Sequence, residues 1–74
     1  MNPMIVATRM VAKDLTTDEL VALYMAATAG FDVRNVMGYE KAKALFTEAN
    51  GTKMHSAALE ALDSIVKERL EPGE

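Results

Sequence analysis

The chain contains no cysteine and no tryptophan, and a single histidine stands among its 74 residues. Without cysteine, neither a disulfide nor the thiolate zinc sites that hold many small domains together can form. His55 alone rules out a multi-histidine metal site within one chain. Aromatics are scarce too, with two Phe and two Tyr. No apolar run approaches the ~20 residues that span a bilayer. The N-terminus lacks the sustained apolar stretch of a signal peptide, because Thr8-Arg9 interrupts Met4–Ala7. Neither sign of charge dominates: the formal net charge is −3. That is too acidic for a general nucleic-acid coat and too weak for a nucleic-acid mimic. The expectation is a cytoplasmic protein with no cofactor, no metal and no membrane partner.

A chain this short forms at most one domain and buries only about 60% of the surface its unfolded form exposes. With disulfides and metals set aside, stability has to come from close helix packing, self-association or a partner. Half of the residues are hydrophobic, and Ala, Leu, Val and Met supply most of them. The many alanines among them let helices approach closely.

The clearest local signal is Leu15-Thr16-Thr17-Asp18-Glu19-Leu20. Thr16 and Glu19 have the spacing of a capping box, and Leu15 and Leu20 that of a hydrophobic staple. A helix from about Thr17 to about Thr28 follows, with Leu20, Leu23, Tyr24 and Ala27 on its apolar stripe and Gly30 as its stop. Phe31 is placed to fold back on the last turn. A second helix is predicted from Tyr39 to about Ala49, with Tyr39, Ala42, Leu45, Phe46 and Ala49 inward and Asn50-Gly51 as the stop. A third begins near Lys53, capped from Thr52 or His55-Ser56, and runs to about Leu70. Its inward residues are Ala58, Leu59, Leu62, Ile65 and Val66, and Asp63 and Lys67 form an i, i+4 pair. Residues 1–14 are ambiguous. Asn2-Pro3 reads as a cap and first helical position, which would put Met4, Ile5, Thr8, Val11 and Ala12 on one face. The same run is also compatible with an extended arm or a short strand. The predicted fold is all-α: a small three-helix bundle with an additional short N-terminal helix or arm, one domain over residues 1–74, and a frayed tail at 71–74.

Residues 15–45 carry a family likeness. Leu15-Thr16, Glu19-Leu20-Val21, Leu23-Tyr24, Gly30, Val33-Arg34, Lys41 and Ala42 together resemble a short helical module of small bacteriophage-encoded proteins. Met25 stands where that module has Asn. The resemblance implies a phage-encoded protein that acts in the host bacterial cytoplasm on a host machine. The transcription apparatus, RNA polymerase first, is the partner it suggests.

No nucleophile–base pair is visible, so an enzyme is not expected. His55 reads as a surface or capping residue, and Glu60 with Asp63 as part of a solvated helix face. Residues 31–55 hold Arg34, Lys41, Lys43 and Lys53 against three acids, a net of +1, whereas residues 56–74 net −3. A helix-turn-helix reader turning at Asn50-Gly51 is the alternative, but its reading helix would present Glu60, Asp63 and Glu68 to phosphates. Of the six methionines, Met25, Met37 and Met54 are expected in the core. Met4, Ile5, Val6, Met10 and Val11 form an apolar segment outside the capped hairpin. That segment, with Arg9 and Arg34 at its rim, is the expected partner-binding element. The partner is expected to be a protein or protein complex rather than nucleic acid, with a homo-oligomer as the further alternative.

Overall fold

The structure, a computed structural model, describes residues 2–47 and 53–71. Within them the chain is all-α: α1 (Pro3–Lys13), α2 (Thr17–Ala29), α3 (Tyr39–Ala42) and α4 (Ser56–Leu70), with 3₁₀ turns at Val33–Asn35 and Lys43–Leu45. The N-terminal segment is a helix rather than an arm or strand. Asn2 Oδ1 accepts the Met4 N–H at 2.8 Å, and Pro3 occupies the first turn, where its missing N–H costs nothing. Thr8 and Ala12 are buried, and Met4 and Val11 pack against the core. The fully buried Thr8 hydroxyl is satisfied within its own helix, donating to the Met4 carbonyl at 2.7 Å.

The capping box at the start of α2 is formed as expected. The Glu19 N–H donates to Thr16 Oγ1 at 3.1 Å, and the Thr16 N–H donates to Glu19 Oε1 at 2.9 Å. At the other end Gly30 adopts φ +78°, and the Phe31 N–H closes the turn on the Ala26 carbonyl at 2.9 Å. The Phe31 ring does not fold back; it is 68% exposed.

The second predicted helix is the main departure. α3 is a single turn that tightens into the Lys43–Leu45 3₁₀ turn, and Phe46 is already extended. Phe46 forms an antiparallel bridge with Met54, flanked by Thr47 N–H to the Lys53 carbonyl and His55 N–H to the Leu45 carbonyl. Leu45, Phe46 and Met54 are all buried by this reversal. The expected continuation to Ala49, the stop at Asn50-Gly51, the Thr52 cap and residues 72–74 of the tail lie outside the described residues. α4 therefore begins at Ser56, after His55, whose side chain makes no capping bond.

The roles of the helices differ accordingly. α4 is the central element and packs on both α1 and α2, while the 39–45 segment closes one side. Leu20, Leu23, Val33, Leu45 and Leu62 are sealed in the core. The small residues Ala12, Ala26, Ala42, Ala58 and Ala61 are buried with them and leave room for close approach.

Among the described residues, three sets of side-chain hydrogen bonds join segments distant in sequence. Tyr24 Oη donates to Asp63 Oδ1 at 2.7 Å, linking α2 to α4. Arg69 donates to the carbonyl of Leu15 at 2.9 Å and, at 2.7 Å, to that of Ala12, which also accepts the Leu15 N–H at 3.1 Å. Lys41 Nζ donates to the Asp14 carbonyl at 3.1 Å and pairs with Glu19 at 3.3 Å. The α1–α2 connection is thus held by one cation from α3 and one from α4.

Candidate interaction surfaces

α1 presents Val6, Arg9, Met10 and Lys13 to solvent. Their spacing of three and four residues makes one continuous stripe on the side away from Thr8 and Ala12. The stripe contains two apolar and two basic side chains, and α1 has no acidic residue at all. Met10 is 63% exposed. One edge of the stripe borders a cleft of about 220 Å³ between α1 and α4, whose floor is Ala12 and Ile65 and whose rim is Arg9, Lys13, Glu68 and Arg69. Arg9 and Glu68 approach to 3.6 Å, an ion pair without a hydrogen bond, with both side chains at least half exposed. Lys13 makes no ion pair among the described residues.

α2 exposes a second apolar surface. From Leu20 to Phe31 the chain carries no charged residue. Only one side of that run is buried, through Leu20, Leu23 and Ala26. Met25, Thr28, Ala29 and Phe31 are exposed on the other side. Met25 and Met37, expected in the core, are exposed instead; only Met54 of that trio is buried. Met25 projects from the α2 side opposite Leu23 and is 61% exposed.

The seven residues predicted to bind a partner are therefore not one patch. Val6, Arg9 and Met10 lie on the exposed stripe. Ile5 is half-buried, and Met4 and Val11 are half-buried against the core, because a helix turns them toward the neighbouring elements. Arg34 sits on the Val33–Asn35 turn, which packs on α2 and α3. It donates to both oxygens of Asp32, with Nη2 to Oδ2 at 2.6 Å. Lys13 and Arg69 were missed. The absence of any acid before Asp14 was a usable sign for Lys13; Arg69 reaches the cleft only through the packing of α4 on α1.

Local fields follow from these pairs. Hydrogen bonds from the Arg34 side chain and backbone bring the Asp32 carboxyl down to about 2. Glu19 is lowered by the Thr16 backbone N–H and by Lys41. Asp63 is lowered by the Tyr24 hydroxyl and Lys67, and the same bond raises Tyr24. Asp63 is thus an anchor for α2 as well as the partner of Lys67 at 3.2 Å, while Glu60 stays exposed. Among the described residues no three His, Asp or Glu side chains are grouped to hold a metal ion, and no helix is long and apolar enough to cross a membrane. Comparison with family models, curated proteins and solved structures finds no match to this chain, so the functional reading rests on these surfaces.

Proposed function

We propose that this chain is a non-enzymatic protein-binding module that docks a partner through the outer stripe of α1. The observation that carries the reading is the exposure of Val6 and Met10, one turn apart, on a helix whose opposite side carries the buried Thr8 and Ala12. The α1 backbone that carries them is already ordered by its packing, so docking costs little backbone freedom, and Arg9 beside them orients the complex. α4, by contrast, is spent on packing against α1 and α2, which is a poor arrangement for a helix that must enter a DNA groove. The phage-like module at residues 15–45 suggests a host protein as the partner, and the transcription machinery as the first one to try.

The test is affinity capture from a bacterial lysate at low and high salt, with purified RNA polymerase as a defined arm, using the chain and its Val6→Asp/Met10→Asp variant. Both substitutions are on the solvent side, so the fold, checked by circular dichroism, is expected to persist. A protein retained at high salt and lost in the variant supports the reading. Nucleic acid alone, released by salt and indifferent to the variant, overturns it. The charge-free outer side of α2 favours a second reading, self-association through Met25, Ala29 and Phe31. In that case sedimentation equilibrium gives a concentration-dependent mass that Met25→Asp/Phe31→Asp abolishes.

A further inference from the structure

We infer that the α1–α4 cleft selects a partner segment that is acidic as well as apolar, with a carboxylate of the partner taking over the position at Arg9 that Glu68 holds loosely. The inference rests on the α1 docking reading and names the chemistry of its partner.

The argument is one of charge complementarity at a particular place. The chain as a whole is acidic, at −3. The rim of this cleft nevertheless carries Arg9, Lys13 and Arg69 against Glu68 alone. Arg69 is fixed in place by its two bonds to the Leu15 and Ala12 carbonyls, and its remaining guanidinium N–H groups make no hydrogen bond among the described residues. Arg9 is not hydrogen-bonded to Glu68: at 3.6 Å the contact is an attraction between two exposed groups, worth little in water. An incoming carboxylate can form the bidentate contact with Arg9 that Glu68 does not make. Lys13, unpaired among the described residues, adds a second positive charge one turn further along α1.

Geometry sets the pattern of the occupant. Val6 and Met10 alternate with Arg9 and Lys13 along about 10 Å of helix. A matching segment carries an apolar side chain opposite Val6 and Met10 and carboxylates opposite Arg9 and Lys13, over about two helical turns. Glu68 is an internal competitor in this scheme, so removing its charge improves binding, whereas removing a charge that merely stabilises the fold would not.

The experiment is an NMR titration of the ¹⁵N-labelled full chain with a synthetic peptide of alternating Glu and Leu. The same peptide with Lys for Glu, sodium sulfate, and phosphatidylglycerol vesicles are the comparison arms. Arg9→Gln/Lys13→Gln is expected to weaken the acidic peptide about tenfold or more, and Glu68→Gln to tighten it by about threefold. Shifts are expected at Val6, Arg9, Met10 and Lys13. Equal binding of the basic peptide, sulfate reproducing the peptide's shifts, binding of vesicles without binding of the peptide, or Glu68→Gln weakening the peptide would each overturn the inference. Lysate capture lost in Val6→Asp/Met10→Asp but unchanged in Arg9→Gln/Lys13→Gln would overturn it while leaving the docking surface in place; capture unchanged in both would remove the surface itself.

Discussion

Gly38 and Gly30 look alike by backbone angle, with φ of +84° and +78°, yet they do different things. A Cβ on Gly30 would meet nothing within 4 Å, so Gly30→Ala pays only for the left-handed conformation, about 1 kcal/mol. A Cβ on Gly38 would lie 3.0 Å from Glu19 Cβ and 3.2 Å from Leu15 Cδ2. Glu19 is fixed there by the capping box and Lys41, so it cannot yield without loosening the start of α2. Gly38→Ala is therefore expected to cost about 2–3 kcal/mol, clearly more than Gly30→Ala, as urea midpoints of the two variants would show. Arg69 is the other decisive residue. Arg69→Met keeps the aliphatic stem but takes the guanidinium donors from the Leu15 carbonyl and from the Ala12 carbonyl, which retains only the Leu15 N–H, for an expected loss of about 1–2 kcal/mol in chemical denaturation. Arg69→Lys restores the charge without the fork, and recovers only part of that loss. Equal stability of Arg69→Met and the parent chain would mean that water at Leu15, and the Leu15 N–H at Ala12, serve those carbonyls as well.

Among the elements, α2 was legible from end to end because its signals are local: Thr16, Glu19 and Gly30 each act within a few residues. The α1 cap was legible for the same reason, but its helix could be told from a strand only by what it packs on, and α4 lies more than forty residues away. The helix predicted to Ala49 fails at Phe46 because the Leu45 carbonyl and the Thr47 N–H are engaged by His55 and Lys53, partners no local pattern reveals. Met25 was misplaced because α2 is apolar on both sides, so its stripe does not show which side is inward. Of the candidate site, Val6, Arg9 and Met10 were legible as an unabsorbed segment; the cleft beside them was not, since α4 completes it. The burial of Ala12 where α1 meets α4 gives a prediction at this scale. Ala12 is 3% exposed and lines the seam with Ile65. Ala12→Leu is expected to push α1 off α4 and cost about 1–3 kcal/mol, whereas Met10→Leu on the opposite side changes stability by less than about 0.5 kcal/mol. Thermal melts of the two variants would settle it, and a seam that accepts leucine at Ala12 without loss would show loose packing there.

For the molecule as a whole, size sets the margin and the polar ties set its pH limits. The radius of gyration is 11.4 Å, close to the ~11 Å of a well-packed chain of this length. Such a domain holds about 4–11 kcal/mol of stability. Leu62→Ala removes a sealed side chain at a cost of about 2–5 kcal/mol, which is a large part of that margin. Against so narrow a margin, titration of a few tied groups becomes visible. Asp32, Glu19 and Asp63 have folded pKa values below their unfolded ones, so each stabilises the fold above the unfolded carboxylate pKa of about 4. That contribution declines as the pH falls through the folded values, about 2 for Asp32. Tyr24 has the opposite sign. Its folded pKa is raised, so its contribution is complete below the unfolded value near 10 and disappears as the pH rises through the folded value. One hydrogen bond, Tyr24 Oη to Asp63, thus contributes to both limits. Tyr24→Phe is expected to lower stability at neutral pH, to flatten the decline above pH ~10, and to reduce without abolishing the decline below pH ~4, because Glu19 and Asp32 keep their own donors. Urea unfolding from acid to alkaline pH on the two proteins measures all three effects. An alkaline decline unchanged in Tyr24→Phe would assign it to the lysines, and the α2–α4 tie would then have no part in setting that limit.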